Sequence, residues 1–226
     1  MINRFVPDLA AALAGVSDGA SIMLGGFGQV GQPVALLEAL ADMGLRDLTI
    51  IANNAGAAFG GMTRLLETGA VGKVVCSYPR SSDSTLFQEL YAKGRIKLEL
   101  TPQGTLVERM RAAGAGIPAF FTPTAAGTLL GAGKETREIN GRLCVLEEAL
   151  FADYALLEAW EADRWGNLSY KLSGRNFNPV MAAAAKITIA QCRHKVELGG
   201  IDPDDVITPG IYVDRVVHVP EGETAV

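Results

Sequence analysis

The sequence predicts an α/β fold built on an open, mainly parallel sheet with flanking helices. Three observations carry this. Short apolar runs of strand length recur along the chain; Leu48–Ala52 lacks the polar alternation of a half-exposed sheet, as strands buried on both faces do. Helical stretches separate these runs, the order that produces parallel pairing. The run Ser21–Leu24 also passes through a glycine-rich turn into a helix that opens at a proline and closes at a glycine, which makes one βαβ unit.

In chain order, Phe5–Ala14 reads as a short helix with Phe5, Leu9, Ala12 and Leu13 on one face. Asp18-Gly19 turns the chain into the strand Ser21–Leu24. Gly25–Gly31 is a glycine loop, and the helix after Pro33 shows Val34, Leu37, Leu40 and Ala41 on its apolar side and stops at Gly44. Leu48–Ala52 and Lys73–Cys76 read as strands, and Ser84–Ala92 as a helix ending at Gly94. Ile96–Leu100 alternates Ile96, Leu98 and Leu100 with Lys97 and Glu99, which predicts a half-exposed strand. Thr105-Leu106-Val107-Glu108 fits a capping box that opens a helix. Tyr154–Leu157 and Lys186–Ala190 are strand candidates, the second after the helical run Pro179–Ala185. Gly114–Thr136 is rich in Gly, Thr, Pro and Ala without clean periodicity; it reads as a long loop, either plain surface or held against a ligand. Residues 1–219 are expected to form one domain, with 220–226 as a polar tail.

Composition removes several function classes. An apolar fraction of 49% in 226 residues predicts a folded globule with a sizeable core. A net charge of −5 gives no basic face for nucleic acid, although a helix N-terminus can still hold an anionic ligand. The N-terminal stretch has no apolar run long enough for a signal peptide or membrane span, so the expectation is a cytoplasmic protein without membrane contact. Cys76, Cys144 and Cys192 are far apart and the only histidines are His194 and His218, so neither a metal site nor a disulfide framework is expected. Buried free thiols are the expectation.

Gly26-Phe27-Gly28-Gln29-Val30-Gly31 satisfies G-x-G-x-x-G between a strand and a helix. A nicotinamide dinucleotide would need an acidic residue at the end of the next strand, where Asn53 and Asn54 stand; Asp47 lies at the wrong end. A loop whose backbone meets a pyrophosphate or thioester fits the glycines better. Gly133-Lys134-Glu135 is no P-loop, since Thr128 holds the leading glycine position and Glu135 the Ser/Thr position. No G-x-S-x-G elbow occurs. Gln103 lies in a strand-to-helix turn, Thr101-Pro102-Gln103-Gly104, at the strand end where open parallel sheets bind ligands. An amide there is either structural or a donor to a developing oxyanion.

Asp18–Phe27 (DGASIMLGGF), continued by Gly31-Gln32-Pro33, resembles the signature of family I CoA-transferases, in the alpha subunit that corresponds to the N-terminal half of the fused mammalian enzyme. The likeness continues through Leu48–Gly56, Thr101–Leu106, Phe121–Thr124, Gly133–Glu138 and Ser173–Pro179, with Ala132 as a departure where relatives often carry Glu. The resemblance implies a CoA-transferase-like fold and a glutamate-driven, ping-pong transfer of coenzyme A between small dicarboxylic and 3-oxo acids. It places the nucleophilic glutamate on a second, beta subunit; Glu147-Glu148 here do not sit in its motif. It implies Gln103 as oxyanion donor and Gly25, Gly26, Phe27, Gly28, Gln29, Val30 and Gly31 as the CoA-binding loop. No permanently bound cofactor is expected, the coenzyme A thioester being a substrate. The implied partners are the CoA-transferase beta subunit, in a heterodimer or in a heterotetramer with two copies of each chain, together with succinyl-CoA and a 3-oxo acid. Within the family, Val75–Ser84 (VCSYPRSSDS) is most similar to members acting on 3-oxoadipate in aromatic degradation, while acetoacetate and succinyl-CoA:3-oxoacid types differ there. A nicotinamide-dependent oxidoreductase and a stand-alone acyl-CoA-binding module are the competing readings.

Overall fold

The computed structural model describes residues 2–56, 60–80 and 84–220. The chain runs α1 (Leu9–Ala12), β1 (Ser21–Leu24), α2 (Val34–Asp42), β2 (Leu48–Ile51), α3 (Gly61–Glu67), β3 (Val71–Cys76), α4 (Leu86–Ala92), β4 (Lys97–Leu100) and α5 (Gln103–Gly114). There follow β5 (Ala119–Thr122), β6 (Thr136–Ile139), β7 (Arg142–Glu148), β8 (Ala152–Ala162), β9 (Leu168–Ser169), α6 (Asn178–Ala184), β10 (Ala185–Lys195) and β11 (Arg215–His218).

The main sheet has the order β11-β10-β8-β1-β2-β3-β4, all parallel, with β9 added antiparallel to β8. Successive residues of the inner strands face opposite cores. Ile22, Leu24, Ile50, Val74 and Leu156 belong to the core that includes buried residues of α1 to α4. Met23, Ile51, Val75 and Leu157 face the other core, with Leu106 and Met110 of α5 and Met181 of α6. Burial on both faces is why these strands carry no polar alternation in sequence. From β1 the chain builds outward to β4 on one side and then returns to place β8 on the other. The crevice beyond the C-terminal ends of the strands at such a reversal is where open α/β sheets take ligands.

Several elements differ from the sequence expectation. The first helix is only Leu9–Ala12, because Phe5 is bridged to Val216 along β11, and Asp8 caps the helix by accepting from the Ala11 amide at 2.7 Å. Helix α5 begins at Gln103 with Pro102 before it, so Thr105 is inside the helix and no capping box forms; Glu108 pairs with Arg111 instead. The segment read as a long loop contains β5, which joins β6 and β7 in a separate antiparallel sheet ordered β5-β7-β6. The loop between β5 and β6 carries Lys134, which pairs with the buried Glu147 of β7. Helix α3 and strand β11 have no counterpart in the sequence reading. The expected tail lies outside the described residues except for Pro220.

All three cysteines are buried and free. Burial pushes the Cys76 and Cys192 thiols up to about 12. Among the described residues, no helix is long and apolar enough to cross a membrane, and no cluster of His, Cys, Asp or Glu is arranged to hold a metal.

Candidate active site

Two strand-to-helix turns and one distant segment meet at the C-terminal edge of the sheet. The first turn, Gly25–Gly31, leaves β1 and enters α2 and is held by its own backbone. Phe27 and Val30 exchange hydrogen bonds, N–H to C=O, at 3.0 and 3.2 Å, and the Gly25 amide donates to Leu156 of β8 at 3.0 Å. The turn therefore presents Phe27 and Val30 outward, 54% and 51% exposed.

The distant segment is Ser173–Pro179, which runs into α6 and clasps this turn with two asparagines. Asn176 Oδ1 accepts from the Gly26 amide at 3.0 Å, while its Nδ2 donates to the Val30 carbonyl at 3.0 Å. Asn178, fully buried, donates from Nδ2 to the carbonyls of Gly31 at 3.1 Å and Gly174 at 2.9 Å, and its Oδ1 accepts from the Glu158 amide at 3.2 Å. This clasp explains two glycines. A Cβ on Gly25 would stand 1.9 Å from Asn178 Oδ1, and one on Gly31 would stand 2.4 Å from the Gly174 carbonyl oxygen. Gly28 is different: its φ of 61° favours glycine, yet nothing lies within 4 Å of where a Cβ would be.

The second turn, Thr101–Gln103, leaves β4 and opens α5. Gln103 Nε2 donates to Asn53 Oδ1 at 2.8 Å. The same oxygen accepts from the Ser77 hydroxyl at 2.7 Å. Asn53 is buried at the end of β2, where its carbonyl accepts from the amides of Ser77 and Tyr78, each at 3.1 Å. Gln103 has two amide hydrogens, and Asn53 takes one. Asn54, by contrast, turns to the Gly56 carbonyl at 3.0 Å.

A cavity of about 980 Å³, large enough for a small-molecule ligand, joins these pieces. Phe27 of the glycine turn, Gln103 and Thr105 of α5, Arg175 and Asn176 of the clasp, and Tyr212 all line it. A smaller cavity of about 260 Å³ lies beside Val30 and Gly31, with Glu158 and Arg193 in its wall. There Arg193 Nε donates to Glu158 Oε1 at 2.6 Å. Burial pushes the Glu158 carboxyl up, against the pull of Arg193 and Gln191. Gln191 bridges the Glu158 carboxylate to the Leu36 amide in the first turn of α2, which Gln191 Oε1 caps at 3.0 Å.

Of the residues the sequence singles out, the structure brings Phe27, Gln103 and Asn53 to one site and leaves His194 and His218 outside it. His194 packs edge-on against Trp160, and His218 bonds the Arg193 carbonyl. Ser77, Asn176 and Asn178 lie in segments that carry the family resemblance, Val75–Ser84 and Ser173–Pro179, but sequence reasoning assigns none of them an individual role. Of the segment Val75–Ser84, Cys76 is buried and Ser77 positions Asn53, whereas Ser81, Ser82 and Asp83 lie outside the described residues.

The coenzyme A transferase family model matches residues 6–219. The chain is 57% identical over 219 residues to the alpha subunit of 3-oxoadipate CoA-transferase from Pseudomonas putida, covering 97% of this chain and 95% of that one. It is 52% identical to the alpha subunit of succinyl-CoA:3-ketoacid coenzyme A transferase from Xanthomonas campestris pv. campestris, covering 93% of this chain and 86% of the relative. Among solved structures, glutaconate coenzyme A-transferase from Acidaminococcus fermentans superposes with a TM-score of 0.84 at 23% identity, covering 97% of this chain and 77% of that one; this shows the shared fold.

Proposed function

This chain belongs to the coenzyme A transferase family, and we propose that it is the alpha subunit of a two-chain, cytoplasmic enzyme that moves coenzyme A from succinyl-CoA to 3-oxoadipate. The observation that carries the reading is its 57% identity, over nearly the whole of both chains, to the alpha subunit of a 3-oxoadipate CoA-transferase. A second acceptor is favoured by the 52% identity to a succinyl-CoA:3-ketoacid relative, and a comparison of the two acids as acceptors separates them. The transferase domain is taken as residues 1–219, with 220–226 as a tail.

In the proposed cycle a glutamate of the beta partner attacks the thioester carbonyl and expels coenzyme A as thiolate, leaving a mixed anhydride. The thiolate attacks the glutamyl carbonyl, freeing succinate and forming a glutamyl-CoA thioester; the second acid repeats these steps in reverse. Each attack moves negative charge onto a carbonyl oxygen. Gln103 is the proposed donor to that oxygen, using the amide hydrogen that Asn53 leaves unused. Asn53 and Ser77 are positioning residues: they hold the Gln103 amide nitrogen in place before substrate arrives. The turn Gly25–Gly31 is proposed to meet the coenzyme A moiety, with Phe27 in the cavity wall and Gly28 as its open point.

The purified chain alone has no transferase activity in this reading, and adding the beta partner restores it. Transfer from succinyl-CoA by the chain alone overturns the reading. A higher kcat/KM for acetoacetate than for 3-oxoadipate in the reconstituted enzyme replaces the proposed acceptor.

A further inference from the structure

Helix α5 begins without a cap. Pro102 precedes it and offers no side-chain hydrogen bond, and the first α5 amide with a backbone acceptor is that of Leu106, which donates to Pro102 at 2.8 Å. The amides of Gln103, Gly104 and Thr105 find no acceptor among the described residues. Such a turn carries a partial positive charge and favours an anion.

Independent observations point to a ligand there. Thr105 is 3% exposed, lines the large cavity, and has a buried hydroxyl without a partner among the described residues. Leaving a buried hydroxyl unmade is costly in a site with no ligand. Gly104 lines the same cavity, and nothing within 4 Å of its missing Cβ excludes a side chain. Its φ lies outside the left-handed region, so this chain's own backbone does not require glycine there; the absent side chain keeps the three amides open. Among the charged residues of the cavity wall, Glu108 and Arg111 pair at 3.1 Å, while the Arg175 side chain makes no ion pair or hydrogen bond among the described residues. The wall therefore carries one unbalanced positive charge.

We propose that the first turn of α5, with its Gln103, Gly104 and Thr105 amides and the Thr105 hydroxyl, binds the free carboxylate of the dicarboxylic substrate. The inference rests on the transferase reading above. Succinyl-CoA and 3-oxoadipate both carry a second carboxylate that takes no part in bond making. An anion site on the turn that also bears Gln103 holds that end while the side chain of Gln103 meets the reacting carbonyl. The subsite thus selects diacids over monoacids of the same length.

The test uses the assembled two-chain enzyme, the KM for succinyl-CoA, and inhibition by succinate against butyrate, which lacks the second carboxylate. Thr105→Val keeps the side-chain shape and removes the hydroxyl. It raises the KM for succinyl-CoA and the inhibition constant for succinate about tenfold, with kcat held and the succinate-independent melting temperature unchanged or higher, because the lost hydroxyl has no protein partner among the described residues. Gly104→Asp places a competing carboxylate on the turn: the melting temperature rises and the preference for succinate over butyrate collapses. Both variants keeping their constants within about twofold of wild type, against the tenfold expected for a hydrogen bond to a charged group, overturn the subsite. Loss of assembly with the beta partner in both variants also overturns it, since the turn is then a contact between the two chains. If the wild-type enzyme neither uses succinyl-CoA nor is inhibited by succinate, the transferase substrate itself is wrong, a failure read on wild type before any variant is made.

Discussion

The two strand-to-helix turns at the C-terminal edge of the sheet solve opposite problems. The turn after β1 has the glycines of a nucleotide-binding loop, yet the amides of Gly26, Phe27 and Val30 are already bonded to Asn176 and to each other. The turn after β4 matches no general motif, yet three amides of its helix have no acceptor among the described residues. Glycine in a turn reports close approach, and the thing approaching can be the protein itself: at Gly25 and Gly31 it is the Asn176–Asn178 clasp. Free donors, and not glycine count, mark the turn suited to an anionic group.

The largest expected effect lies on the open turn. Gln103→Ala lowers kcat by about 10²–10³ with little change in KM, the loss typical of one preoriented oxyanion donor. Gln103→Glu is as damaging or worse, because a carboxylate repels the developing charge. Steady-state kinetics with melting temperature on the assembled enzyme check both; turnover within about threefold of wild type, far short of that donor magnitude, removes Gln103 from the chemistry. On the closed turn the effect is structural. Asn178→Ala leaves the Gly31 and Gly174 carbonyls and the Glu158 amide without their partner and costs about 1–3 kcal/mol in chemical denaturation. An unchanged denaturation midpoint refutes the clasp.

Gly28→Val sharpens the contrast. The chain has room for the side chain, so the expected folding cost is the left-handed backbone alone, about 1–2 kcal/mol. A raised KM for succinyl-CoA in the folded variant places ligand at the turn, whereas an unchanged KM makes it a scaffold only. The smallest effect serves as a control from the opposite sheet edge. Asp153 accepts from the Lys186 ammonium at 2.8 Å and from the amide and hydroxyl of Ser21, which hold its carboxyl down at about 2, below the ordinary 3.8. The group's stabilisation is present above its ordinary pKa and is lost as pH falls towards 2. Because Asp153 is partly exposed, Asp153→Asn costs less than about 1 kcal/mol. It flattens stability against pH only in that acid window and leaves turnover intact; a changed kcat at neutral pH refutes this.

The legible and illegible parts of the sequence divide along the range of the interaction. Strands such as Leu48–Ile51 are apolar because both faces are buried, and that is local information. The position of Gln103 is legible because Thr101-Pro102 and Gly104 punctuate the end of β4. Its orientation is not, since Asn53 and Ser77 arrive from two other strands. The clasp joins residues 150 apart, and neither asparagine differs in its neighbourhood from an ordinary turn residue. Strand β6 escapes a reading of the sequence because it is exposed throughout and its Thr136-Arg137-Glu138-Ile139 carries no apolar pattern; β5 escapes it because its apolar run, Ala119-Phe120-Phe121, is short and sits in a stretch rich in Gly, Pro and Thr. Helix α3 escapes it because it is seven residues long and opens on Gly60 and Gly61, residues that argue against a helix.

Strand β1 has its own consequence for how the molecule is made. It precedes β2, β3 and β4 in sequence, and these lie on one side of it in the sheet. Its other edge waits for β8, with Ile22 opposite Tyr154 and Leu24 opposite Leu156, and for that interval the middle of the future sheet is an apolar, unpaired border. Helix α2 waits longer still, because its Leu36 amide is capped by Gln191 from β10. The half of the sheet built from β1 to β4 therefore keeps an open border until β8 is in place, and its helix α2 lacks one cap until β10 is.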